Sequence, residues 1–248
     1  MKKKLYAFII TLSIFSKLFC TESAVPETTD GTVSETVTDT GATSENADVP
    51  KKEFPVNFYL TFEPSLILNT DSGENSAVSP VVYPVSFGAM FFGNKPVTFQ
   101  PRLSFFANYY LWYDGEAYPA EIENRTATVF HFLLDLPAVY RFTLKDRHSF
   151  EFGLGPAFDF TVTVLSHGVT GSDSGYTGSA DSDTGEIRWS FWKNGRFIYL
   201  TTQTAYLFNF SKKLSFGPEF RFYLPCGHLF SGDGFNHSIF SLGAKIQF

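Results

Sequence analysis

Between Phe150 and Val164 the chain alternates without interruption. Phe150, Phe152, Leu154, Pro156, Phe158, Phe160, Val162 and Val164 are apolar, while Ser149, Glu151, Gly153, Gly155, Ala157, Asp159, Thr161 and Thr163 are small, hydroxylated or acidic. A period of two over such a length specifies a β-strand. A strand resting on a protein core in water is rarely so aromatic for so long, whereas lipid on one face and a polar lumen on the other account for both halves of the pattern. No later apolar run reaches the roughly 20 residues of a spanning helix. Any passage through a membrane must therefore use strands, and the expected fold class is an all-β, antiparallel transmembrane barrel.

The N-terminus reads differently. Met1-Lys2-Lys3-Lys4 is cationic and Leu5 to Ser16 is apolar, the pattern of a secretory signal. Residues 1–20 are expected to be that signal, with cleavage after Cys20 or as late as Ala24. Phe19 stands where a lipidated cysteine wants a small residue, which argues against an anchor at Cys20. Cleavage leaves Cys226 as the only thiol, so no disulfide framework is expected. Thr21 to Pro50 carries no Lys, Arg or aromatic residue and is rich in Thr, Ser, Glu and Asp. Such a segment cannot bury enough surface to offset chain entropy, so residues 21–53 are expected to be a disordered acidic linker.

From residue 54 to 248 alternating stretches come in pairs. Strands are expected at 54–68, 81–92, 97–113, 126–142, 150–164, up to 210 for the sixth, 214–224 and 238–248. Short turns fall at Gly93-Asn94-Lys95-Pro96, Lys145-Asp146-Arg147 and Ser211-Lys212-Lys213. Long loops fall at 69–79, 114–125, 166–186 and 225–237. Four long loops with three short turns give an even count of eight strands with both chain ends on the short-turn side. Lys193-Asn194-Gly195-Arg196 carries a two-residue turn signal, so 186–200 is expected to form a hairpin rising above the sixth strand. Pro64, Pro101, Pro156 and Pro218 recur on the upward strands, and each is expected to mark a bulge or bend.

In the last strand Phe240, Leu242, Ala244, Ile246 and Phe248 share one face. This resembles the C-terminal assembly signal of outer-membrane barrels, which implies recognition by the barrel-assembly machinery. The whole of 54–248 resembles the small eight-stranded barrels, of which OmpW and the membrane domain of OmpA are the types. Gly243 and Phe248 fit the OmpW ending, while Asn236, His237, Ser238 and Ile246 depart from it. The resemblance implies a bacterial outer-membrane location with lipid as partner, a periplasmic N-terminal arm and extracellular long loops.

With the apolar faces outward, Glu63, Arg102, Asp135, Glu151, Asp159, Glu219, Arg221 and Lys245 point inward. An eight-stranded lumen is about filled by its own side chains, so these charges are expected to form a plug of ion pairs, not a wide channel. Toward the loop end the inward positions turn apolar at Phe106, Tyr110, Trp112, Val129, Leu133 and Tyr199, where a cup for an apolar ligand could sit.

Other chemistry has little support. His131 and Asp135 lie about 13 Å apart along one strand, too far for a dyad. Cys226, His228, Asp233 and His237 match no closed zinc spacing. A net charge of -6 disfavours nucleic acid. No cofactor, metal or catalytic role is expected. Function then divides between a structural surface protein, whose loops meet a host or environmental ligand, and a narrow conduit for small hydrophobic molecules. Loop three, with its Gly-Ser-Asp composition, reads as an exposed segment that needs no packing.

Overall fold

The computed structural model describes residues 56–70, 77–145, 147–211, 213–232 and 234–248. The signal, Cys20, the acidic linker, the start of the first strand, Asp71, Glu74, Asp146, Lys212 and Asp233 lie outside the described residues. Among the described residues twelve of thirteen strands make eight crossings. β1 (Val56–Phe62) and β2 (Ser65–Ile67) form crossing one; β3 (Val81–Val82) and β4 (Val85–Phe91) form crossing two. β5 (Val97–Phe99) and β6 (Arg102–Tyr113) form crossing three, and β7 (Glu116–Pro119) folds back on β6 as a hairpin above it. β8 (Ala127–Asp135) with β9 (Ala138–Leu144) form crossing four, and β10 (His148–Leu165), β11 (Ile198–Asn209), β12 (Ser215–Pro225) and β13 (Ile239–Gln247) each cross once. Every neighbour pairs antiparallel, and β13 returns to β1 and β2. The sheet closes on itself as an eight-stranded barrel, which leaves no edge at the closure.

Tyr59 and Phe248 show how the wall closes. Tyr59 faces Gln247 across the closing pair, and Phe58 and Phe248 exchange both backbone hydrogen bonds, at 3.0 and 2.9 Å. Along every crossing one parity is buried and the other exposed. Phe58, Leu60 and Phe62 are exposed on β1, as are Phe160, Val162 and Val164 on β10. Phe240, Leu242, Ala244, Ile246 and Phe248 are all exposed on the outer face. A continuous aromatic and aliphatic outer face around a closed sheet is a surface that hydrocarbon solvates and water does not.

Four crossings divide where a proline falls. Pro64 separates β1 from β2, Pro84 separates β3 from β4, Pro101 separates β5 from β6, and Pro137 separates β8 from β9. None of these breaks inserts a residue: Phe62 faces Ala244 before the break and Ser65 faces Ser241 after it, three residues on in each strand. Of the bulge or bend expected at Pro64 and Pro101, the bulge is therefore absent. Proline removes one donor from the ladder but keeps its carbonyl, and the neighbouring crossing still uses it. Glu63 N–H donates to Pro84, Ala89 to Pro101, Gln100 to Pro137 and Leu136 to Pro156. Pro156 and Pro218 stay inside the continuous strands β10 and β12.

The loop side departs most from the expectation. Residues 186–200 are not a hairpin: α1 (Ala180–Trp192) runs through them and ends in a short 3-10 turn, Lys193–Gly195. Asn194 and Gly195 do take positive φ, 57° and 71°, but they stop a helix instead of turning a strand. Ser179 caps α1 by accepting from Ser182 N–H at 3.2 Å, and Asp181 and Asp183 sit in its first turn, where the helix dipole favours acid. Loop three is not an unpacked segment either. The Asp183 carboxylate accepts from the Tyr176 and Thr177 N–H groups, both at 2.8 Å, which folds the Gly-Ser stretch back onto the helix. Loop four holds a second helix, α2 (Cys226–Ser231).

Gly243 lies opposite the break at Glu63-Pro64, and a Cβ there would strike the Phe62 carbonyl oxygen. Gly185 on α1 faces open space. Gly243→Ala is expected to destabilise the barrel by about 1–3 kcal/mol through overpacking at the closing pair. Gly185→Ala should be neutral or stabilise by up to about 1 kcal/mol. Urea titrations in detergent, followed by gel-mobility shift, compare the two.

Candidate functional site

The lumen is built from the buried parity of each crossing, and strand register decides which charges meet. Arg102 on β6 lies directly opposite Asp135 on β8, and Arg141 on β9 directly opposite Glu151 on β10. Arg102 Nε donates to Asp135 Oδ2 at 2.9 Å, its Nη1 donates to Glu63 at 2.7 Å and to Thr61 at 3.1 Å, and its Nη2 donates to the Tyr223 hydroxyl. Arg221 donates to the same Asp135 oxygen at 3.3 Å and to Glu219 at 2.8 Å, while the Tyr223 hydroxyl donates to Asp135 at 2.9 Å. Lys245 Nζ donates to Glu151 and to Gln100, each at 2.7 Å, and lies 4.3 Å from the Tyr59 ring centre.

Four carboxylates, Glu63, Asp135, Glu151 and Glu219, thus meet four cations, Arg102, Arg141, Arg221 and Lys245. The balance matters because an isolated buried charge costs several kcal/mol, and charges survive inside only when each is answered. Seven of the eight inward charges read from the sequence join this one network. Asp159 is separate: it binds His131 Nδ1 at 2.8 Å, higher in the barrel. The partner of His131 thus lies on the adjacent β10 and not, like Asp135, on its own strand. Arg141, Tyr223, Tyr59 and Gln100 were missed, although all share the inward parity.

Above the network, Phe106, Leu133 and Tyr199 pack with Ile67, Val82, Ala157, Tyr223 and Ile239. Tyr110 and Val129 belong to a second cluster with Ala117, Ala127, Ile187 and Phe191, and Trp112 packs against it half-buried. Of the inward apolar positions, Tyr110, Val129 and Trp112 therefore pack against the helix, while Phe106, Leu133 and Tyr199 pack against the wall below it. Ile187 and Phe191 descend from α1 into the mouth, and Phe191 meets the Tyr110 and His131 rings edge-on, at 5.1 and 5.6 Å. His131 also stacks on Phe106 at 4.5 Å. Between the clusters and the ion network a void of about 10 Å³ remains, bounded by Arg102, Phe106 and Leu133. That is room for about one water.

At the loop end, Glu116, Phe191, Arg196, His228, Asn236 and His237 converge on a second void of about 10 Å³. The His228 and His237 rings stack at 4.4 Å. Among the described residues no three His, Cys, Asp or Glu side chains converge as metal ligands. Burial, with the Arg196 guanidinium nearby, pushes His228 down to about 3. Burial, with His228 and Arg196 beside it, also holds His237 well below the usual imidazole range.

A histidine whose folded pKa lies below its unfolded value of about 6.5 adds stability that is complete above pH 6.5 and falls as the pH drops toward the folded value. The α2 region is therefore expected to loosen on acidification between about pH 6.5 and pH 3. Hydrogen exchange of α2 amides, corrected for intrinsic rates, should be faster at about pH 4.5 than at about pH 7.5, and His228→Gln should flatten that difference.

No family model matches the chain, and no curated protein matches it. Among solved structures it is similar to Neisserial surface protein A at 14% identity, covering 78% of this chain and 95% of that one, with a TM-score of 0.45. It is similar to Ail, the attachment invasion locus protein of Yersinia pestis, at 7% identity, covering 78% and 97%, with a TM-score of 0.40. It is also similar to the outer membrane protein OprG from Pseudomonas aeruginosa at 9% identity, covering 79% and 95%, with a TM-score of 0.42. The barrel itself rests on the closed strand order of this chain.

Proposed function

We propose that this protein is an integral barrel of a bacterial outer membrane whose folded loop-side crown is its working surface. In this reading the short turns and the N-terminal arm face the periplasm, the loops face outward, and Phe240 to Phe248 are read by the barrel-assembly machinery. The observation that carries it is α1: Ile187 and Phe191 seal the mouth while Trp189, on the same helix, is 65% exposed. A helix that closes the lumen from above and offers a large aromatic to solvent suits recognition of an external ligand better than passage of solutes. Tyr176, Phe230 and Phe235 add exposed aromatic area on the loop side.

One observation favours a second reading, the narrow conduit for small hydrophobic molecules. β4 pairs with β6 only as far as Val85 opposite Phe105, and β3 above it pairs with β2 alone. This seam in the wall lies beside Pro84 and Phe106, which line the small void. An apolar molecule could leave through it, provided α1 first withdrew from the mouth.

Two measurements test these readings. With Cys226→Ser as background, Trp189→Cys on intact cells should react with a membrane-impermeant maleimide and Lys95→Cys should not; the reverse pattern would invert the topology. Planar bilayers should show no steady conductance. In a Trp189→Phe/Trp192→Phe barrel, laurate should leave Trp112 fluorescence unchanged. Saturable quenching that a folded Leu133→Arg variant abolishes would replace the surface reading with the conduit.

A further inference from the structure

The short-turn mouth is the opposite of the crown in both shape and charge. It is an open cavity of about 870 Å³, within the range of ligand sites. Each short turn contributes one cation to its lining: Lys95 from the first, Arg147 from the second and Lys213 from the third. Arg141 rises from the floor, and no Asp or Glu is among the described lining residues. Arg141 stands at the edge of the ion network. Its Nε stands 3.8 Å from Glu151, while Lys245 holds that carboxylate at 2.7 Å. The remaining Arg141 nitrogens donate to Gln247 at 3.4 Å and Ser149 at 3.3 Å, neutral partners that fix the guanidinium. The ion network is thus balanced, and the mouth adds three further positive charges to it.

We propose that this mouth is a binding site for an acidic peptide segment. Its cations come from three separate turns and the floor, so they surround the opening instead of meeting at one point, which suits several carboxylates spaced along a chain. Asn57, Asn94 and Gln247 add side-chain amides that can pair with peptide N–H and C=O groups. This site lies apart from the crown and does not depend on which side of the membrane it faces.

The test uses the full chain in non-ionic detergent with fluorescein-labelled hexaglutamate followed by anisotropy. Saturable binding is expected at low salt, weakened strongly at about 0.5 M salt, where charges several ångströms apart are screened. A Lys95→Glu/Lys213→Glu barrel should bind roughly tenfold or more weakly, as loss and reversal of two attractions requires. Arg125→Glu on the loop side should bind as the parent does, and labelled hexalysine should not bind. Retained heat-dependent gel mobility shows that each variant is folded. No binding at low salt, or equal affinity in the folded double variant, overturns the site. Displacement of hexaglutamate by inorganic triphosphate at lower concentration than by unlabelled hexaglutamate overturns the peptide assignment in favour of a compact phosphate.

Discussion

Everything inside this barrel is governed by the cost of keeping charge in a lumen too narrow for bulk water. Eight strands give an interior that side chains fill, so the charged residues cannot hydrate and must answer one another. Asp135 is the hub: Arg102, Arg221 and the Tyr223 hydroxyl all converge on one of its oxygens. These groups come from crossings three, four and seven, and Glu63 on crossing one binds Arg102 as well. The network therefore ties distant parts of the wall across the lumen. At mid-height the network leaves beside Arg102 a void with room for about one water.

The wall makes that pairing geometrically dependable. Prolines interrupt four crossings, yet none shifts the register, so Tyr59, Thr61, Glu63, Ser65 and Ile67 all stay on the inner face across the break at Pro64. Bulges would have reversed the parity beyond each break and sent Glu63 or Arg102 toward lipid. Gly155 and Gly243 let neighbouring backbone approach where the ladder divides. Gly155 lies against Leu136 and Pro137, and Gly243 against Phe62 and Glu63.

Parity also explains what could be read from the chain. Because the side-chain period of a strand is two, the inner and outer sets followed from alternation once one aromatic face was recognised. Glu63, Arg102, Asp135, Glu151, Asp159, Glu219, Arg221 and Lys245 are all buried. Partners across the barrel were not legible, since pairing Lys245 with Glu151 or His131 with Asp159 needs the register of neighbouring strands. The helix was missed for a different reason. Ile187, Trp189 and Phe191 alternate like a strand, and Asn194-Gly195 looks like a hairpin turn. Ala180, Thr184, Ile187 and Phe191 nonetheless share helical spacing, with Ser179 as a cap. Gly185 and the aromatic residues are weak helix formers, so the helix owes its stability to the apolar mouth that receives Ile187 and Phe191. Local preference gave way to tertiary packing.

A double-mutant cycle on Arg102 and Asp135 tests most directly whether the lumen is held by mutual neutralisation. Arg102→Met, Asp135→Leu and the double variant would be unfolded reversibly in urea in lipid vesicles, with the parent as reference. Each single change should cost about 3–5 kcal/mol, because it strands a buried opposite charge. The double change should cost less than the sum of the two by roughly 2 kcal/mol or more. Additive costs, or single variants as stable as the parent, would contradict the account and mean that these charges do not hold the barrel together.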